Sequence, residues 1–143
     1  ADPNIHNPLH WGGATLVKPN RLEAFGALGR PDSNRREDWI SAGEELLVRW
    51  SCHYLLLTLG EHGMILFQPG AKPYPIASRA REVYDVSGAG DTVISVLAAG
   101  LASELSGPIA SELANLAAGI VVAKLGTATA SPQEIMEAAR HHG

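Results

Sequence analysis

The sequence predicts an α/β fold, and three observations carry the prediction. His53 to Leu59 ("HYLLLTL") is a continuous apolar run between turn residues, as in a strand buried on both faces of a parallel sheet. Helical periodicity brackets it, with Trp39, Gly43, Leu46, Leu47 and Trp50 on one face of Arg36 to Ser51. Strand and helix patterns alternate before the chain closes on a helical tail, which is the order of an α/β domain.

The elements follow in order. Thr15 to Lys18 is short and β-prone, and Pro19 ends it. Asn20 can cap a short helix, with Glu23 at the third helical position completing a capping box. Gly29 to Asn34 ("GRPDSN") is loop chemistry before the Arg36 to Ser51 helix. After the His53 to Leu59 strand, Gly60 to Gly63 forms a turn and Met64 to Gln68 the next strand. Pro69 to Pro73 turns again, and Tyr74 to Ala77 and Glu82 to Val86 are shorter strand candidates. Helices are expected over about Gly90 to Glu104, Ile109 to Leu125 and Pro132 to His141. Pro108 and Pro132 sit near helix starts, where a missing N–H costs little. On the first of these helices Ile94, Leu97, Ala98 and Leu101 would share the apolar face.

The 143 residues suffice for one domain, are 45% hydrophobic and 18% charged, and carry a net charge of -4. The densest basic spot is the pair Arg35-Arg36, which argues against a nucleic-acid surface built on phosphate contacts. The longest apolar stretch, Ala117 to Ala123, is too short to span a bilayer, so no membrane partner is expected. Cys52 is the single cysteine, which excludes a disulfide within the chain and suits a reducing, cytoplasmic compartment. It reads as a small buried hydrophobe, because no catalytic pairing is visible.

The stretch Gly88-Ala89-Gly90-Asp91 opens a predicted helix with residues that form helices poorly. A helix start carries unpaired N–H groups and partial positive charge, and glycine lets an anion approach the backbone. Gly88, Ala89 and Gly90 can therefore cradle a phosphate or oxyanion. Asp91 would repel that anion, so its presence needs another reason. General-base removal of a proton from an attacking hydroxyl is one. The plainer alternative is that the glycines serve close packing and Asp91 favours the helix dipole. No Lys-Ser or Lys-Thr follows, so this is not a P-loop, and Val93 stands where a dinucleotide fingerprint has its third glycine.

The segment "DVSGAGDT" (Asp85 to Thr92) closely resembles the signature of the ribokinase-like, PfkB-type carbohydrate kinases. Three more segments match in order: "KPNRLE" (Lys18 to Glu23), "LTLGEHGMILF" (Leu57 to Phe67) and "ANLAAGIVVAKLGTATASP" (Ala114 to Pro132). Within the family, Glu82 to Ala102 and Ala117 to Ile135 look like the heptose 7-phosphate kinase branch, although Asn4 stands where that branch has lysine. The resemblance implies a Rossmann-type three-layer sandwich, of which residues 1–143 would be the C-terminal, nucleotide-binding half. It implies ATP-dependent phosphorylation of a sugar hydroxyl, O1 of D-glycero-D-manno-heptose 7-phosphate, in ADP-heptose and lipopolysaccharide core synthesis. ATP and Mg2+ are the implied cofactors, with K+ as an optional monovalent cation, and a sugar or sugar phosphate is the implied partner.

By the same resemblance Asp91 matches the catalytic base, and Gly88, Ala89 and Gly90 match the anion hole. Asn20 and Glu23 match a motif that orders Mg2+ and phosphates, largely through water. Thr58 and Gly60 match nucleotide contacts, and Asn115 a position near adenine or ribose. Asp85, Gly126 and Ala130 match loops that can hold a monovalent cation. Each has a plainer alternative: a capping box for Asn20 and Glu23, an ordinary strand residue for Thr58, a satisfied buried amide for Asn115. His62 reads as a solvent-exposed turn residue, and His141-His142 has no metal-site pattern.

The chain starts Ala1-Asp2-Pro3 without methionine, which reads as a cut, and the half carrying most of a sugar pocket has no counterpart here. Alone, the chain is expected to transfer phosphate weakly or not at all, because donor and acceptor must be aligned. A cut sheet exposes a strand edge, so a homodimer is expected. A kinase for another sugar or a nucleoside, a non-catalytic nucleotide-binding module and a purely structural domain remain the alternatives.

Overall fold

The first strand is held by its neighbour rather than by its length. In the computed structural model, β1 covers only Leu16–Val17 and pairs in parallel with β2, Tyr54–Thr58, in the register Leu16↔Tyr54 and Val17↔Leu55. The structure describes residues 12–78, 89–124 and 129–140. The chain divides into two units, Ala1–Pro75 and Ile76–Gly143, with the boundary falling inside a strand.

In the first unit α1 (Arg21–Ala27) and α2 (Arg36–Arg49) precede β2. A single 3-10 turn, Gly60–His62, leads into β3 (Met64–Phe67), and β4 is Tyr74–Ile76. The sheet order is β1-β2-β3-β4. The expected two-sided burial of the central strand holds, since Leu55, Leu56 and Leu57 are all 0% exposed. The sheet is mixed: β2 runs parallel to β1 and antiparallel to β3, with Leu55 opposite Phe67 and Leu57 opposite Ile65. The short turn from Gly60 to Gly63 dictates this, because a parallel return needs a crossover of a dozen or more residues.

One face of the sheet packs Leu55, Leu57, Ile65 and Phe67 against Trp39, Ala42 and Leu46 of α2 and Ala24 and Phe25 of α1. The predicted α2 face is thus core, with Trp50 at its partly buried end. Gly43 fixes how closely helix and sheet approach: a Cβ there would lie 2.2 Å from the Phe67 ring.

The second unit holds α3 (Ala89–Ala102), α4 (Gly107–Val122) and α5 (Pro132–Arg140). The expected strand over Glu82 to Val86 lies outside the described residues. α4 begins two residues before the expected Ile109, because Ser106 takes the extended cap conformation and Pro108 is tolerated in the first turn. The buried face of α3 is Val93, Leu97 and Gly100, rotated from the expected Ile94, Leu97, Ala98 and Leu101. The rotation follows from close packing on α4, where a Cβ on Gly100 would come within 2.9 Å of the Ala110 Cβ. Gly100 lets the two helices approach closely there, with Val93 and Leu97 buried on the same face. Among the described residues no helix is long and apolar enough to cross a membrane.

Candidate functional site

The parallel pairing of β1 and β2 puts both carboxyl ends at one edge of the sheet. Open α/β sheets bind ligands at that edge. Beyond β1, Asn20 forms an isolated parallel bridge with Thr58, and the Thr58 N–H donates to the Pro19 carbonyl at 3.0 Å. Asn20, Glu23, Thr58 and Gly60 are therefore brought together, although they come from two distant stretches of chain. The capping box is complete: the Glu23 N–H donates to Asn20 Oδ1 at 2.9 Å, and the Asn20 N–H to Glu23 Oε2 at 2.8 Å. It fixes both side chains and leaves Asn20 Nδ2 and Glu23 Oε1 outside the box. Gly60 has φ +61, a conformation that favours glycine, and opens the 3-10 turn.

Lys18, the first residue of the KPNRLE segment, has no role assigned by the motif. It ends the β1 segment and is only 5% exposed, directly before Pro19 and Asn20. A lysine is rarely buried unless paired, so it joins the candidate group. The signal was a lysine closing an otherwise apolar strand.

In the second unit α3 starts at Ala89, Ala89 and Gly90 are half-buried, and Asp91 is an exposed carboxylate in the first turn. The Ser95 hydroxyl donates to the Asp91 carbonyl at 2.7 Å, which braces the backbone of that turn. Gly88, Asp85 and Gly126 lie outside the described residues, as do Asn4 and His141-His142. Asn115 is 5% exposed on α4, and its Nδ2 donates to the Ala77 carbonyl at 2.9 Å. That bond ties α4 to the segment after β4. One turn earlier, Ser111 Oγ is buried without a hydrogen-bond partner among the described residues.

Ala130 is half-buried just before α5. Around it Lys124 Nζ donates to the Thr129 carbonyl at 2.8 Å and pairs with Glu134 Oε1 at 2.7 Å. Glu134 in turn accepts the Ser131 N–H at 2.8 Å, and its own N–H donates to Ser131 Oγ at 3.3 Å. The Lys124 hydrogen bond, and then those of Ser131, hold the Glu134 carboxyl down at about 2.

Cys52 is buried, and burial pushes its thiol above the ordinary value, as suits a small core residue. It lies at the amino end of β2 in an open depression of about 550 Å³ lined also by Leu47, Val48, His53 and Gln68. That depression is at the opposite end of β2 from Thr58, and none of the candidate residues lines it.

The residues that could hold Mg2+ are few. Among the described residues no three His, Cys, Asp or Glu side chains cluster as a metal cage. Mg2+ commonly keeps several waters and binds through one or two carboxylates plus substrate phosphates, so Glu23 beside a nucleotide fits that mode.

The architecture is that of the ribokinase-like α/β proteins. Arabidopsis thaliana ribokinase, solved with ribose and ATP, superposes with a TM-score of 0.77 at 25% identity, over 86% of this chain and 40% of that one. Phosphofructokinase-2 from Escherichia coli, solved with potassium, gives a TM-score of 0.81 at 19% identity, over 91% and 41% of the two chains. Residues 4–134 match the model of the pfkB family of carbohydrate kinases, and the chain belongs to that family. Among its relatives is a bifunctional protein HldE from Alkalilimnicola ehrlichii, 49% identical over 138 residues. The alignment takes in 96% of this chain and 28% of that relative's length.

Proposed function

We propose that the chain supplies the nucleotide side and the catalytic base of an ATP-dependent sugar kinase. The observation that carries the reading is Asp91, an exposed carboxylate in the first turn of α3 directly after Ala89-Gly90. In this reading Asp91 accepts the proton of the attacking sugar hydroxyl as the oxygen–phosphorus bond forms. In the same reading Gly88, Ala89 and Gly90 would supply the N–H donors for the oxygens of the transferring phosphoryl group, where fixed donors act most strongly. Thr58 and Gly60 line the nucleotide path, and Asn20 and Glu23 orient phosphate oxygens and metal-bound water. Mg2+ would neutralise phosphate charge when bound. Asn115 would act near the adenine or ribose through the α4 backbone it anchors, and Asp85, Gly126 and Ala130 would frame a K+ site.

The acceptor we propose is a heptose 7-phosphate, phosphorylated at O1 on the way to ADP-heptose and the lipopolysaccharide core. The support is the likeness of residues 82–102 and 117–135 to that branch of the family, together with the identity to HldE proteins. In this reading residues 1–143 are the C-terminal half of the kinase domain, and the enzyme works as a cytoplasmic homodimer.

The test is Asp91→Asn in the full-length enzyme carrying this sequence. The expected result is a loss of turnover of roughly 10²- to 10⁴-fold, with ATP binding kept. Near-normal turnover would remove Asp91 from the base role, and transfer to other sugars but not to heptose 7-phosphate would overturn the acceptor.

A further inference from the structure

The turn after β2 is closed by its own backbone. The Leu59 N–H donates to the Gly63 carbonyl at 2.8 Å, the Gly63 N–H to the Gly60 carbonyl at 3.0 Å, and the His62 N–H to the Leu59 carbonyl at 3.2 Å. With φ +61 at Gly60 and +83 at Gly63, both ends of the turn are glycines in conformations that other residues rarely adopt. Such a turn keeps its internal shape and is anchored at its ends, where Thr58 pairs with Met64 and Leu59 is buried in the core. Its backbone hydrogen bonds leave the lean of the exposed tip, Gly60 to His62, to other contacts.

An orienting contact comes from a side chain. The His62 ring lies on Trp39 of α2, with ring centroids 5.2 Å apart and planes tilted by 36°. Trp39 is itself fixed: it is 7% exposed, and its indole N–H donates to the Ser33 carbonyl at 2.7 Å. The Ser33 hydroxyl donates in turn to Asp38 Oδ2 at 2.6 Å, so the loop that holds the indole is tied to the first turn of α2. An exposed histidine ring is thus set at a tilt against a clamped tryptophan.

We propose that His62 is a positioning residue. Through its tilted ring contact with Trp39 it steadies the exposed tip of the Gly60–His62 turn against α2, and so helps set the backbone of Gly60 for the nucleotide. This role rests on the reading of Thr58 and Gly60 as nucleotide contacts. His62 need not touch the ligand. What it contributes is a further restraint on the exposed tip of the turn, which lowers the ordering cost that weakens affinity on binding.

The experiment compares wild type, His62→Ala and His62→Phe by calorimetric titration with Mg-ATP and by amide hydrogen exchange at His62 and Gly63. A ring pair of this kind is worth roughly two- to tenfold in an equilibrium constant. His62→Ala should weaken Mg-ATP binding and speed exchange at Gly63 by about that factor, and His62→Phe, which keeps a ring, should restore both. Faster exchange with unchanged affinity would overturn the role, as would unchanged exchange, or affinity lost equally in both variants. Those outcomes require that the wild type binds Mg-ATP. A folded wild type that does not bind it would instead sink the nucleotide reading, and this role with it.

Discussion

Replacing Gly43 by alanine sets two effects of opposite sign against each other. Within a helix, alanine is favoured over glycine by about 1 kcal/mol. Gly43 lies inside α2, so propensity alone predicts a gain. The packing predicts a loss. The added Cβ would meet three Phe67 ring atoms, at 2.2, 2.3 and 2.7 Å. Ordinary carbon–carbon contact requires the ring to withdraw by roughly 1 Å. Phe67 is 1% exposed and is packed in the core that α1 and α2 form with the sheet, so it has nowhere to go without displacing neighbours. Overpacking of this kind costs about 1–3 kcal/mol. We therefore expect a net loss of up to about 2 kcal/mol, read as a lower urea midpoint at unchanged slope. The same substitution beside Phe67→Leu should cost less than it does alone, because the shorter side chain relieves the overlap. Greater stability for Gly43→Ala would refute the reasoning, and so would an equal loss in both backgrounds.

Two more outcomes follow from ionisable groups. The Glu134 carboxyl is held at about 2 against 4.5 for the free group, so the unfolded chain takes up its proton first as pH falls. Its contribution is present above 4.5 and lost as the pH drops from there to about 2, and stability rises with pH across that window. Glu134→Gln should flatten that part of the stability–pH curve, and an unchanged curve would mean that the Lys124 pairing is not made in solution. Cys52, buried with its thiol pushed up, should react with a thiol reagent only as fast as its surroundings open. Labelling by a disulfide reagent in native buffer at the rate of the unfolded chain would contradict that burial.

What could be read from the sequence was whatever is local. The capping box of Asn20 and Glu23, the periodicity of α2 and the apolar run of β2 are each written within a few neighbouring residues, and each is found in the structure. The composition of a doubly buried strand does not say which way its neighbour runs; the short turn after β2 does. The face of α3 was missed because Gly100 carries no apolar side chain for periodicity to count, yet its lack of a Cβ is what seats it on Ala110. Lys18 and the Trp39–His62 pair depend on contacts between separate elements, which spacing along the chain cannot supply. Of the candidate site, the motifs were legible by resemblance. The juxtaposition of Asn20 with Thr58 belongs to the parallel pairing of β1 and β2.

That pairing has a kinetic side. Thr58 and the Pro19 carbonyl it contacts are 39 positions apart in sequence, and β1 has only two residues with which to hold the join. Closing so long a loop costs chain entropy before the contact returns anything, so non-local parallel pairs form slowly. The box at Asn20 needs no such closure and can form with α1 alone. The juxtaposition of Asn20 with Thr58 therefore comes into being only when β1 joins β2, and any ligand that binds there draws the chain toward its closed form by mass action.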